Sequence, residues 1–121
     1  MKRSLERYLY AIGLLNSRQE NVCAVDLCRF LGLKPATVSL ALRQLREQGC
    51  IEKGPRGSLS FSASYAGHAE QILGRLLFFR QLLIRFGVDT ATAERDAVVL
   101  SWRLSDVSYQ AFRTVFSAAP D

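Results

Sequence analysis

The chain has 121 residues, enough for one domain or a small module with a helical appendage. Its residues are 49% apolar, which supports a packed core and argues against disorder, and no apolar run approaches the length of a membrane span. The net charge of +5 points to an anionic partner rather than a cationic one.

The apolar residues Leu5, Tyr8, Leu9, Ile12 and Leu15 recur at helical spacing, with Ser4 as the expected N-cap. Asn16–Asn21 is a polar break, and Val22-Cys23 reads as a brief strand. Ala24–Leu31 is a short helix that buries Leu27, Phe30 and Leu31, stopped by Gly32. Pro35 suits the first turn of the next helix, where its missing N–H is not needed. Val38, Ala41, Leu42 and Leu45 make the inward stripe of that helix. Ala36, Leu40, Arg43 and Glu47 lie opposite, flanked by Thr37, Ser39 and Gln44, and Gly49 ends the helix.

Cys50–Lys53 and Ser58–Phe61 are two short strands joined by Gly54-Pro55-Arg56-Gly57, a hairpin. From about Ser62 to Phe86 the pattern is a long helix rich in Leu and Phe, stopped by Gly87. A further helix reaches about Arg103, and Ser105 caps a last one through Phe116. Ser117–Asp121 is expected to fray.

A short helix, a tight turn, a helix with a polar outer face and then a hairpin is the order of a winged helix-turn-helix. The expected fold is mainly α, with a winged helix-turn-helix over 1–61 carrying a small β-hairpin wing, then a helical dimerisation domain over 62–121. Charge divides the same way. Residues 1–61 hold ten Lys/Arg against five Asp/Glu, whereas 62–121 hold six of each, so the whole excess lies in the first part. In such a fold the second helix presents its N-terminal half to the major groove, where base edges are distinguishable. The expected partner is double-stranded DNA, met by Lys34, Thr37, Ser39, Leu40, Arg43 and Gln44, with Lys53 and Arg56 on the wing.

Here the chain resembles a known family. Leu5-Glu6-Arg7-Tyr8-Leu9, Lys34-Pro35-Ala36-Thr37-Val38-Ser39, the wing and Gly87-Val88-Asp89 are similar to the diphtheria-toxin-repressor family of metal-dependent regulators, most closely its manganese-responsive (MntR-like) branch. The resemblance spans residues 4–116 and implies a homodimeric operator-binding regulator. It assigns DNA reading to Lys34, Ala36, Thr37, Ser39 and Leu40, although this family often has an amide or a basic group where Leu40 stands. It also maps the metal ligands onto Arg7, Tyr10, Leu76, Val98, Ser101 and Trp102, none of them a carboxylate or an imidazole. The expectation is a family architecture without the metal switch and with no cofactor, its effector unknown.

Other readings stay open. A winged helix can serve as a protein-interaction module without an operator. Cys23, Cys28 and Cys50, odd in number, fit no disulfide framework and read as reduced thiols. A thiol or iron–sulfur sensor built on Cys23 and Cys28 is the third reading. His68, the single histidine, makes no metal site alone and reads as a surface or boundary residue. No catalytic motif occurs, so the protein is not expected to be an enzyme. The Lys2-Arg3 start leads into an apolar stretch interrupted by Glu6 and Arg7 with no cleavage site, so a cytoplasmic location is expected.

Overall fold

The structure, a computed structural model, describes residues 2–116; the expected fraying of Ser117–Asp121 lies outside these residues. Six helices and one hairpin follow the order α1 (Arg3–Arg18), α2 (Ala24–Leu31), α3 (Pro35–Glu47), β1 (Ile51–Lys53), β2 (Leu59–Phe61), α4 (Ala66–Arg85), α5 (Thr90–Arg103) and α6 (Asp106–Phe116). Short 3-10 turns occupy Pro55–Gly57 at the hairpin tip and Ala63–Tyr65 before α4.

The central element is α1. Its residues from Tyr8 to Leu15 are buried on nearly every side except at Tyr10, as expected of a helix surrounded by partners rather than lying on a surface. It packs against α2 and α3 on one side and α4 and α5 on the other. Gly13 is what lets α4 come so close, because a Cβ there would meet Ile72 Cγ2 and Leu76 Cδ1 at 3.3 Å each. Leu9, Ile12 and Leu15 are nearly sealed from solvent, each worth about 1.5–3 kcal/mol of transfer free energy.

One apolar core therefore runs from α1 through Leu27, Val38, Leu45 and Ile51 and continues into Ile72, Leu76 and Val98. The junction at residues 61/62 is a change of element, and packing continues across it. A smaller cluster of Phe79, Ala97 and Tyr109, with Phe78, Leu100 and Leu104 against it, joins α4, α5 and α6. Phe78 and Phe79 meet edge-on at 5.2 Å, and Phe78 meets Tyr109 at 5.6 Å.

Several expectations shift. Lys2, not Ser4, precedes α1, and Ser4 lies in its first turn, where Leu5 N–H already bonds the Lys2 carbonyl at 3.0 Å. The helix runs on to Arg18, so the polar break is shorter than Asn16–Asn21. Arg18 has a distant partner that holds the extra turn in place, described below. Val22-Cys23 forms no strand, although the Val22 carbonyl accepts a 2.7 Å hydrogen bond from Leu59 N–H and so ties the hairpin to the entry of α2. Phe30 and Leu31 are half-buried rather than buried. A 3-10 turn precedes α4, which begins at Ala66 rather than Ser62.

Other local signals hold. Gly32 sits at φ 68°, ψ 36° and closes α2 with its N–H on the Cys28 carbonyl at 2.9 Å, a left-handed position that favours glycine. Pro35 occupies the first turn of α3. Ser105 Oγ accepts from Ser108 N–H at 3.2 Å at the start of α6.

Candidate nucleic-acid interface

Helix α3 buries Val38, Ala41, Leu42 and Leu45 and turns its other face outward. Ala36, Thr37, Ser39, Leu40 and Arg43 are all exposed, Leu40 at 48%, and Lys34 is exposed immediately before the helix. Gln44 differs, being half-buried in a shallow depression beside Lys2 and Leu5 at the start of α1. The small side chains Ala36, Thr37 and Ser39 cluster near the start of α3, where the backbone N–H groups before Val38 are free of intrahelical partners. Arg43 follows from the same face, two turns after Ala36.

The hairpin pairs Ile51 with Phe61, Glu52 with Ser60 and Lys53 with Leu59. Ile51 and Leu59, one from each strand, are buried, so the register is fixed by the core. Lys53 and Arg56 are exposed at its far end. Arg56 lies at φ 58°, ψ 25°, a left-handed conformation uncommon for a side chain of its size. That strain is held by Gly57 N–H on the Gly54 carbonyl at 3.2 Å and Gly54 N–H on the Ser58 carbonyl at 2.7 Å. The Cys23 thiol also lies 3.5 Å from the Arg56 carbonyl.

The basic excess of residues 1–61 is not all directed at this surface. Arg3 donates to the backbone carbonyls of Trp102 at 3.2 Å and Arg103 at 2.9 Å. Trp102 Nε1–H returns a 2.7 Å bond to the Arg3 carbonyl. Arg7 lies over the Trp102 ring at 5.1 Å. Arg18 donates to Glu94 at 2.6 Å, and Arg80 donates to the other oxygen of the same carboxylate at 3.1 Å. Three cations of α1 thus bind it to α5. Lys34, Arg43, Lys53 and Arg56 form none of the salt bridges or side-chain hydrogen bonds among the described residues. Sequence reasoning missed the Arg18–Glu94–Arg80 bridge, whose members are far apart in the chain and follow no local pattern.

The positions corresponding to the family's metal ligands do not fit a divalent ion. Leu76 and Val98 are buried hydrocarbon in the main core and offer no lone pair. Arg7 carries a positive charge beside Trp102, with its Nε buried and without a hydrogen-bond partner, and Ser101 Oγ is likewise buried and unpartnered. Tyr10 opens into a different region, a cleft shared with α6. Among the described residues no three His, Cys, Asp or Glu side chains are grouped to hold a metal ion. Cys23 and Cys28 are half-buried on α2 and its entry, and burial pushes the Cys50 thiol up, away from the reactive thiolate. His68 is exposed and stacks on Tyr65.

No family model and no curated protein matches the sequence. Solved structures do. The manganese regulator SloR is similar at a TM-score of 0.62 and 16% identity, over 95% of this chain and 54% of SloR. The hypothetical protein SSo2273 from Sulfolobus solfataricus is similar at 0.51 and 17% identity, over 94% of this chain and 88% of its own. The chain therefore shares its fold with part of SloR, and it spans about half of SloR's length. No helix among the described residues is long and apolar enough to cross a membrane.

Proposed function

We propose that this protein is a sequence-specific, double-stranded-DNA-binding transcriptional regulator that acts as a homodimer and does not depend on metal. The observation that carries this reading is the pairing of two exposed elements with unclaimed cations: the outer face of α3 with Lys34 and Arg43, and the hairpin tip with Lys53 and Arg56. An α-helix with small residues in its first turns fits the major groove, and a basic hairpin beside it can follow the phosphate backbone. The architecture shared with a named regulator supports the same reading. Residues 62–121 supply the dimer contact: Val107, Phe112 and Val115 are exposed on α6 at 82%, 43% and 67%, an apolar face that a second copy would cover. Two-fold symmetry would set the recognition helices about 34 Å apart, one turn of DNA. The function is binding, not catalysis.

The test is binding to random duplex DNA across a salt series, by fluorescence anisotropy. The wild-type protein should lose affinity steeply as salt rises. Arg43→Ala and Arg56→Ala should each lower the slope by about one unit per lost phosphate contact, or cost about 1–3 kcal/mol on the operator where a base contact is lost. Both side chains are exposed, so folding should be unaffected. Flat salt dependence, or unchanged slope and affinity in both variants, overturns the assignment.

A further inference from the structure

A cleft of about 860 Å3 opens between α1, the first half of α4 and α6. Its volume falls in the range of small-molecule sites and far exceeds a packing defect.

Among the lining residues, Tyr65 stacks on His68 at 4.9 Å and 17°, and it also stacks on Phe61 of the hairpin at 6.0 Å. Glu6 and Tyr10 of α1 line the cleft with them. Burial raises the hydroxyl pKa of both Tyr10 and Tyr65; Arg75 opposes the rise at Tyr10, and the Glu6 carboxylate adds to it in both, so Glu6 acts on both phenols. The hydroxyls are neutral at physiological pH and take part in none of the side-chain hydrogen bonds among the described residues. Aromatic faces near a carboxylate that has no ion-pair partner among the described residues are what an ammonium group requires.

Arg75 of α4 and Arg113 of α6 also line the cleft. Arg75 is already committed: it is 7% exposed, pairs with Asp106 at 2.6 Å, donates to the Leu104 carbonyl and lies over the Tyr109 ring at 4.6 Å. Arg113 donates once, to the Tyr109 hydroxyl at 3.3 Å, and has no carboxylate within ion-pair distance among the described residues. Its remaining N–H groups suit a carboxylate. Glu70, also at the cleft, keeps its net charge from favouring a simple anion.

We propose that this cleft binds a small zwitterion of amino-acid to dipeptide size, its ammonium held by Glu6 among the tyrosines and its carboxylate by Arg113. An occupant touches α1 of the winged helix and α6 together. Any effect on operator affinity rests on the DNA-binding reading above, whereas ligand binding itself does not.

The test is an NMR titration of the full-length, DNA-free protein with L-phenylalanine and with L-phenylalanylglycine. Phenylacetate and phenethylamine, each carrying one of the two charges, serve as comparison probes. At least one zwitterion should give saturable shifts at the amides of Tyr10, Tyr65 and Tyr109, and the single-charge probes should bind at least tenfold more weakly. Glu6→Gln and Arg113→Gln should each weaken binding about tenfold, equivalent to about 1.4 kcal/mol. Well-dispersed spectra would establish that both variants fold. No saturable shift with either zwitterion overturns the proposal, as does equal binding of the single-charge probes or unaltered binding in both variants. Zwitterion binding without DNA binding would refute the regulator reading and leave the site standing; DNA binding without zwitterion binding would do the reverse.

Discussion

Replacing Glu94 should loosen the attachment of the winged helix to the rest of the chain. The side chain is 9% exposed and accepts from Arg18 of α1 at 2.6 Å and Arg80 of α4 at 3.1 Å while sitting on α5. Hydrogen bonds to charged groups contribute about 1.5–3 kcal/mol each when well shielded from water. Breaking a fully buried pair costs about 3–5 kcal/mol, because the surviving charge is stranded. Here the survivors are not stranded, since the Arg18 and Arg80 side chains are 42% and 31% exposed and can turn to water. The net loss for Glu94→Ala should therefore be about 2–3 kcal/mol, which lowers Tm by about 8–12 °C for a chain of this size. Glu94→Gln keeps one acceptor and the shape of the side chain, and should cost about half as much. Urea unfolding followed by far-UV circular dichroism measures both values, with an unchanged m-value expected. A loss below about 0.5 kcal/mol for Glu94→Ala would mean that water satisfies the two arginines as well as the carboxylate does.

Operator affinity should be the same in chelator and in added Mn2+ or Fe2+ at matched ionic strength; a tenfold gain with metal, about 1.4 kcal/mol of coupling, would refute metal independence. Sedimentation should give a dimer at micromolar concentration, and Phe112→Glu with Val115→Glu should give a folded monomer; a monomeric wild type or an unaffected dimer would remove α6 as the contact. The Asp89 carboxylate accepts from Thr92 N–H at 3.0 Å, and these bonds to Thr92 hold its pKa below the ordinary 3.8. A depressed folded pKa means the cap is fully formed above the ordinary aspartate range and lost as pH falls through the folded value. The Thr92 amide shift should accordingly titrate with a midpoint below 3.8 and become pH-independent in Asp89→Asn; a midpoint at or above that value would contradict the cap.

The charge of the first half carries two roles that composition cannot separate. Arg43 and Arg18 contribute equally to the basic excess, yet Arg43 is exposed on α3 and Arg18 is bound to Glu94. Arg3 and Arg7 likewise face Trp102. The division of charge between residues 1–61 and 62–121 thus reflects the holding of α1 against α5 as well as the exposed cationic surface.

What the sequence alone determined is what short-range physics governs. Gly32 as a left-handed stop, Pro35 in a first turn, the buried stripe Val38–Leu45 and the Ser105 cap each depend on residues within one or two turns. The order of elements and the outward face of α3 were legible for the same reason. Only the tertiary structure decided which cations were spent internally, that the Val22 carbonyl anchors the hairpin through Leu59, and that Gly13 admits α4. It also decided that α1, α4 and α6 enclose a cleft with Glu6 on one wall and Arg113 on the other. These contacts join residues tens of positions apart, and the Trp102–Arg3 bond spans 99. Such pairings depend on how whole helices pack around α1, which no local periodicity encodes.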